Sequence, residues 1–229
     1  MNLIASMKAR SAAKKMSDGN HAEAKKLYEE AVAAGFNEPR YLLSYSVLLI
    51  REGEFQKARE LLVQNQNNPL LTDDSRRQLY VNYAVCVYKL GDLQKGIELL
   101  ERQHEKEANG LIYETLGYLY IEAGDTEKAL AFNKQGMEYD DEDPITLDNL
   151  GQTYYRMLND PEQARTYFEK AHELKPGQID TLYFLAQYDL AAGDREAAKD
   201  KYTQALKGRF SPLNYASREQ IEAELAKLG

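Results

Sequence analysis

The sequence predicts an all-α protein in which helical hairpins stack on one another, and three observations lead to this prediction. A turn-forming residue pair recurs six times, at spacings of 34, 38, 33, 35 and 34 residues. A small residue stands five positions after the first member of each pair, and another stands seven positions before it, or eight in one case. Self-similarity at such a period is typical of repeat architectures. The pairs are Gly19-Asn20, Gly53-Glu54, Gly91-Asp92, Gly124-Asp125, Asn159-Asp160 and Gly193-Asp194.

Each recurring position has a role in a helical hairpin. Gly tolerates the left-handed conformation that ends many helices, and the Asp, Asn or Glu after it can cap the next helix. The small residues let two antiparallel helices approach closely, and a large residue nine positions after the first member of the pair is expected to fill the groove between neighbours. Since a hairpin cannot bury its second face alone, the units must stack. The small residues are Ala12, Ser46, Ala84, Gly117, Gly151 and Ala186 before the pairs and Ala24, Ala58, Gly96, Ala129, Ala164 and Ala198 after them; the large ones are Tyr28, Leu62, Leu100, Phe168 and Tyr202, with Asn133 as the exception.

The hairpins follow one another along a single domain that we expect to span residues 1–229. The polar segment 65–75, which contains a Pro, explains the 38-residue step by lengthening one connection. One extra residue near 158–161, where Asp160 caps a helix that Pro161 opens, explains the 35-residue step. The repeats are predicted at residues 5–38, 39–76, 77–109, 110–143, 144–178 and 179–212, with a capping helix in residues 213–229.

Three stretches of the sequence resemble the tetratricopeptide repeat family, in a bacterial-type form. They are Leu116-Gly117-x-x-Tyr120-x-x-x-Gly124-Asp125-x-x-x-Ala129, Leu150-Gly151-x-x-Tyr154 and Ala164-x-x-x-Phe168-x-x-Ala171-x-x-x-x-Pro176. The resemblance covers roughly residues 5–212. It implies a right-handed superhelical solenoid whose first helices line a concave surface, and a scaffold that binds proteins without catalysis. The family's large aromatic residue at the start of the first helix is missing, because the chain has no Trp.

The tetratricopeptide alignment places a set of side chains in the concave groove, where they are expected to bind a peptide or protein segment. Along the groove the basic Arg40, Arg51 and Lys89 come before the acidic Glu114, Glu122, Asp148 and Asp180. We therefore expect an extended or helical partner whose acidic end lies toward residues 40–89. The set is Arg40, Ser44, Val47, Arg51, Gln78, Asn82, Tyr88, Lys89, Glu114, Thr115, Tyr118, Glu122, Asp148, Asn149, Gln152, Tyr155, Arg156, Asp180, Phe184 and Gln187.

The sequence lacks the clamp with which some tetratricopeptide domains hold the C-terminal carboxylate of heat-shock chaperones. That clamp uses Lys and Asn on one first helix, Asn on the next, and Lys and Arg on the third. Asn82 could be the middle Asn, but the helix before it offers Leu43 and Val47, and the helix after it offers Leu111 and Thr115.

Composition and motifs argue against other classes of function. The net charge of −8 includes no concentrated basic footprint, so no nucleic-acid partner is expected. The three His lie in different repeats, Cys86 lies in an apolar run, and the acids of residues 140–143 lack the spacing of a calcium loop. We therefore expect no metal, no cofactor and no catalytic site. Asp143 is expected instead to cap the helix that Pro144 opens.

Two alternatives accompany the scaffold interpretation. No apolar stretch approaches the roughly 18–20 residues that span a bilayer, and one Cys fits a reducing compartment, so a cytoplasmic location is expected. The first 17 residues hold four basic residues and no acid; they would mark a membrane-anchored protein with cytoplasmic repeats only if an anchor precedes them. The second alternative is a structural module that self-assembles into a homo-oligomer through its solenoid ends.

Overall fold

The computed structural model describes residues 3–229, which form thirteen α-helices and no β-strand. Contacts divide the chain into two compact units, Met1–Gln103 and His104–Gly229, called the N-terminal and C-terminal units below. That the two units form one domain stays a prediction. The all-helical repeat architecture that the spacing pattern predicts is confirmed.

The N-terminal unit holds three pairs of helices. In the first two pairs the helices pack directly on each other, and the first helix of the second pair also packs against that of the third. The helices are α1 (Leu3–Ser17), α2 (His21–Ala33), α3 (Pro39–Arg51), α4 (Phe55–Asn65), α5 (Asp73–Lys89) and α6 (Leu93–His104).

The C-terminal unit holds three further pairs and one last helix, which packs on the second helix of the final pair. The ninth helix continues into a π-helical turn at Thr153–Met157. The helices are α7 (Gly110–Glu122), α8 (Thr126–Tyr139), α9 (Pro144–Gln152), α10 (Pro161–Leu174), α11 (Ile179–Ala191), α12 (Arg195–Ala205) and α13 (Arg218–Ala226).

The recurring turn pairs end one helix and start the next, as predicted. The first member of each pair has a positive φ, from 52° at Asn159 to 94° at Gly91. The second member caps the following helix in five pairs; the Asp125 carboxylate, for example, accepts from Lys128 N at 3.0 Å. Glu54 is the exception and forms no side-chain cap. Its longer side chain pairs with Lys25 of α2 instead.

The small and large recurring residues form the core. All the small residues are buried, as are the five predicted large ones. Asn133 is buried at the position where the other repeats have a large residue, and its Nδ2 donates to Gly117 O at 3.4 Å. Predicted packing between small and large positions is therefore confirmed, with a polar variant in α8.

Both irregular steps have a structural explanation. Helix α5 begins at Asp73, capped by Thr72, whose side chain accepts from Ser75 N at 3.2 Å. The predicted repeat boundary after residue 76 therefore falls inside a helix. The extra residue of the 35-residue step lies in the π-helical turn and not in the connection near 158–161, as Leu158 N bonds to Thr153 O, five residues back.

The capping helix forms over a shorter range than predicted, at Arg218–Ala226. Ser217 and Gln220 cap its start reciprocally. Ile221 of this helix is fully buried in a cluster with Tyr202 and Leu182. The helix thus covers apolar surface of the last helix pair.

Candidate protein-binding faces of the first helices

The residues predicted to bind a partner lie on the first helices of both units. The N-terminal face comprises those on α3 and α5, and the C-terminal face those on α7, α9 with its π-helical turn, and α11. Their binding role stays a prediction, but the structure distinguishes the side chains that reach the surface from those that pack inside.

Four residues of the N-terminal face form a stripe along one side of α3. Arg40 and Arg51 are exposed, and Ser44 and Val47 between them are half-buried. The spacing of four, three and four residues keeps them on one side of the helix. Ser44 Oγ donates to Arg40 O at 2.9 Å. This stripe therefore presents two cations and an aliphatic side chain at the surface.

The α5 part of the N-terminal face is partly internal. Asn82 is buried, and its Nδ2 donates to Ser46 Oγ at 2.9 Å. Gln78 Nε2 donates to Asn82 Oδ1 at 2.7 Å. Near the end of α5, Lys89 Nζ lies 4.5 Å from the centroid of the Tyr88 ring. Asn82 thus ties α5 to α3, whereas Tyr88 and Lys89 are half-buried and reach the surface.

A chain of polar contacts crosses the C-terminal face from α7 to α11. Arg156 Nη2 donates to Glu122 Oε1 at 2.9 Å, and Arg156 Nη1 donates to Gln152 Oε1 at 2.9 Å. Gln152 Nε2 donates to Asp148 Oδ2 at 2.7 Å. Thr181 Oγ1 donates to Asp148 Oδ1 at 2.5 Å. The three first helices are therefore linked through side chains that, apart from Thr181, belong to the predicted groove set.

Two acidic residues of the C-terminal face, Asp148 and Asp180, have buried side chains. Burial raises the pKa of Asp148, and repulsion from Asp180 raises it further, against the hydrogen bonds from Thr181 and Gln152. Burial also raises the pKa of Asp180. The Asp180 carboxylate accepts from Tyr215 N at 3.1 Å and from Ala216 N at 3.2 Å. Both carboxylates therefore serve internal contacts and offer little charge to a partner.

Glu114 is a half-buried acid of the C-terminal face. Burial raises the pKa of its carboxyl group to about 7, and Asp143 adds repulsion that Lys175 opposes. Its backbone carbonyl accepts from Asn149 Nδ2 at 2.9 Å, so the buried Asn149 joins α9 to α7.

Aromatic rings extend the C-terminal face. Tyr155 is half-buried, with its ring centroid 5.2 Å from that of Phe184. Tyr215, which follows the last helix pair, stacks on Phe184 at 5.1 Å, and the Arg156 guanidinium lies 4.3 Å from the centroid of the Tyr215 ring. Tyr118 is buried. The repeat pattern missed Tyr215, because it stands outside the six repeats and carries no recurring signal.

Gln187, a half-buried member of the predicted set, makes a contact within its own helix pair. Its Nε2 donates to the hydroxyl of Tyr202, a buried residue on α12. Its side chain therefore engages the second helix of its own pair. The position of a residue in the repeat predicts which side of the helix it occupies. It does not predict which neighbouring group a long side chain will contact.

Eight residues of the predicted set are buried and eleven others, besides Gln187, reach the surface at least in part. A buried side chain offers little area to a partner, so surface for binding comes from the second group. The buried residues are Asn82, Thr115, Tyr118, Asp148, Asn149, Gln152, Asp180 and Phe184. The others are Arg40, Ser44, Val47, Arg51, Gln78, Tyr88, Lys89, Glu114, Glu122, Tyr155 and Arg156.

Residues 3–229 were also compared with the expectations of no metal site and of a buried Cys86. In that range no three His, Cys, Asp or Glu side chains are grouped so that they could hold a metal ion. No helix in the same range combines the length and the apolar character that crossing a bilayer requires. Cys86 is buried, as predicted, and burial raises the pKa of its thiol to about 12. Asp143 caps α9, also as predicted, accepting from Thr146 N at 2.8 Å.

The helix pairs, their turn residues and their interlocking small and large positions define a helical-repeat protein. Family models described as tetratricopeptide repeat match residues 14–69, 111–143 and 146–178, which together exceed half of the chain. The chain belongs to the tetratricopeptide repeat family. Members of this family are in general non-catalytic scaffolds for protein interaction.

Solved structures share this fold. A tetratricopeptide repeat protein from Parabacteroides merdae has a TM-score of 0.76 at 14% identity, over 100% of this chain and 85% of that one. PilW, a widely conserved type IV pilus biogenesis factor, has a TM-score of 0.67 at 16% identity, over 98% and 100% of the two chains. TTC0263 from Thermus thermophilus has a TM-score of 0.66 at 16% identity, over 83% and 98%. At these identities the likeness concerns the fold alone. No curated protein matches the chain.

Proposed function

We propose that this protein is a non-catalytic scaffold that binds a protein segment on the first-helix faces of its repeats. The observation that carries the proposal is the stripe on α3, where Arg40 and Arg51 are exposed beside the half-buried Val47 while the other side of the helix is core. Membership of the tetratricopeptide repeat family supports it. A rigid, preformed helix face also loses little entropy when a flexible partner binds.

The N-terminal face suits an acidic segment. Arg40 and Arg51 are separated by eleven residues of helix, or about 16 Å at 1.5 Å per residue. That distance corresponds to about five residues of extended chain. Carboxylates four or six positions apart in an extended partner point to the same side and would therefore meet both cations, with an apolar side chain between them over Val47. Complementary charge would raise the association rate and fix the orientation.

The C-terminal face contributes less charge than the sequence alone suggests. Asp148 and Asp180 are engaged inside, and Glu122 is paired with Arg156. This face offers a surface of Tyr155, Arg156 and Tyr215, in which hydrogen bonds and ring contacts hold Arg156 in place. We propose that it supplies area and shape, and that charge selection falls to the N-terminal face.

Site-specific photocrosslinking tests where the partner binds. A photoreactive amino acid at Val47 should give a partner adduct in extracts of the source cells, whereas one at Lys26, which is exposed on α2, should not. Adducts from Lys26 with none from Val47 would contradict the proposal.

Self-assembly is a second candidate, which the apolar surface on α1 favours. Leu3, Ile4 and Met7 are 73%, 64% and 62% exposed, and such a cluster is unusual on a monomer's surface. Association that rises with concentration in sedimentation and is lost in Ile4→Ser would support it. Deleting residues 213–229 should increase association, because α13 covers apolar surface. A wild type that stays monomeric at all concentrations would exclude it.

A further inference from the structure

A cleft of ≈ 210 Å³ opens in the N-terminal unit between α4, α5 and α6. Its floor is apolar and buried, its walls are half-buried, and its rim is exposed and basic on the α6 side. The floor is Leu62 and Leu79, the walls are Tyr80, Tyr83 and Leu99, and the rim is Val63, Gln66, Lys95 and Arg102.

The cleft uncovers two positions of the repeat that are core in four of the other five first helices, α1 being the exception. These are the residue just before the recurring small residue on the first helix and the residue three places further back. In α5 they are Tyr83 and Tyr80, and both are half-buried. On α3, α7, α9 and α11 the same two positions are buried in every case, as Leu42 and Tyr45, Tyr113 and Leu116, Leu147 and Leu150, and Leu182 and Leu185.

The long connection before α5, residues 66–72, borders the cleft through Gln66. Its residues are held in place by their own contacts: Asn68 Nδ2 donates to Asn37 O at 2.6 Å, and Leu70 N donates to Asn68 Oδ1 at 3.0 Å. Arg76 of α5 donates to Gln66 O at 3.3 Å. These hydrogen bonds hold the connection in place between α4 and α5. The half-buried Tyr80 and Tyr83 therefore belong to a well-defined surface.

The α6 side of the cleft alternates charge and apolar surface. One side of α6 carries Lys95, Leu99 and Arg102, because these residues are separated by four and three positions. The two cations are separated by about 10 Å along the axis. Within residues 3–229 neither Lys95 nor Arg102 forms an ion pair, and both are exposed.

We propose that this cleft binds a helical segment of a partner protein that presents one large apolar side chain between two carboxylates. A volume of ≈ 210 Å³ is smaller than typical small-molecule pockets of about 300–1,000 Å³ and suits a single inserted side chain. Two carboxylates seven residues apart on a helix match the spacing of Lys95 and Arg102, and the apolar residue between them falls over Leu99 and the tyrosines. The surface is separate from the α3 stripe.

The test uses a defined pair of peptides with the full chain in ¹H–¹⁵N NMR titrations. The first is an alanine-based helical peptide with one Phe, a Glu four residues before it and a Glu three residues after it. Its twin has Lys in place of both Glu. The acidic peptide should shift the amides of Leu62, Tyr83 and Leu99 saturably, with a dissociation constant on the order of millimolar, because exposed ion pairs are weak. The Lys peptide should bind at least about fivefold more weakly.

Variants complete the test. Lys95→Glu with Arg102→Glu should lose the acidic peptide and gain the Lys peptide, whereas the matched reversal Lys14→Glu with Lys26→Glu, at exposed positions of α1 and α2, should leave binding unchanged. Replacing Phe by Ala in the peptide should abolish the shifts. No saturable shift at these amides, equal binding of the twins, or unchanged binding by the Lys95 and Arg102 variant would each overturn the proposal.

Discussion

The ring of Phe168 on α10 lies against the backbone of Gly151 on α9. A Cβ atom at Gly151 would come within 2.5 Å of Cε1 of that ring. Gly117 has the same relation to Asn133, whose Oδ1 would collide with a Cβ there. The recurring small and large positions are thus two halves of one contact, and Asn133 fits because Gly117 leaves room for its amide.

Gly151→Ala should therefore destabilise the protein by about 1–3 kcal/mol, the usual cost of overpacking a core. Urea unfolding at equilibrium measures the change. Gly177→Ala is the matched control, since nothing lies within 4 Å of a Cβ there, and it should change the unfolding free energy little. Equal stability of Gly151→Ala and the wild type would show that the two helices do not pack this closely.

Glu114 predicts a pH dependence of stability. Its pKa is raised from 4.5 to about 7 in the folded protein. As pH rises from about 4.5 to about 7, the unfolded chain releases this proton while the folded chain retains it, so the unfolding free energy falls. Glu114→Gln should flatten that fall, measured by urea unfolding at about pH 4.5, 6 and 8. Glu127→Gln, at an exposed position of α8, is the control. Identical pH profiles for Glu114→Gln and the wild type would contradict the assignment.

Cys86 should be unreactive in the folded protein. Its thiol is fully buried, and burial raises its pKa to about 12, so the nucleophilic thiolate is scarce at neutral pH. A chromogenic disulfide reagent should label it only after denaturation. Rapid labelling of the native protein at pH 8 would show that α5 is less well packed than described.

The ion pair of Glu122 and Arg156 should couple α7 to the π-helical turn. Both side chains are about one-fifth exposed, at 20% and 21%. A double-mutant cycle with Glu122→Gln and Arg156→Gln should give a coupling of about 0.5–1 kcal/mol. Additive effects of the two substitutions would mean that the pair contributes no stability beyond its separate members.

The repeat pattern predicted the fold well, because the turn, capping and packing positions are local and recur. Glu54 shows one limit: it stands at a capping position, but its longer side chain pairs with Lys25 and forms no cap. The π-helical turn shows another, since a one-residue insertion can enter a helix as easily as a connection. The candidate faces were predicted less completely. Register indicates which side of a helix Asp148 occupies, but only the neighbouring helix, with Thr181, decides that it is buried.

The central claim is that the stripe on α3 binds an acidic segment of a partner. The most direct measurement is calorimetric titration, at low salt, of the protein captured by crosslinking from Val47. The variant with Arg40→Glu and Arg51→Glu should bind it at least about tenfold more weakly than the wild type, and the variant with Lys14→Glu and Lys26→Glu should bind it normally. Unchanged affinity after reversal of Arg40 and Arg51 would contradict the claim.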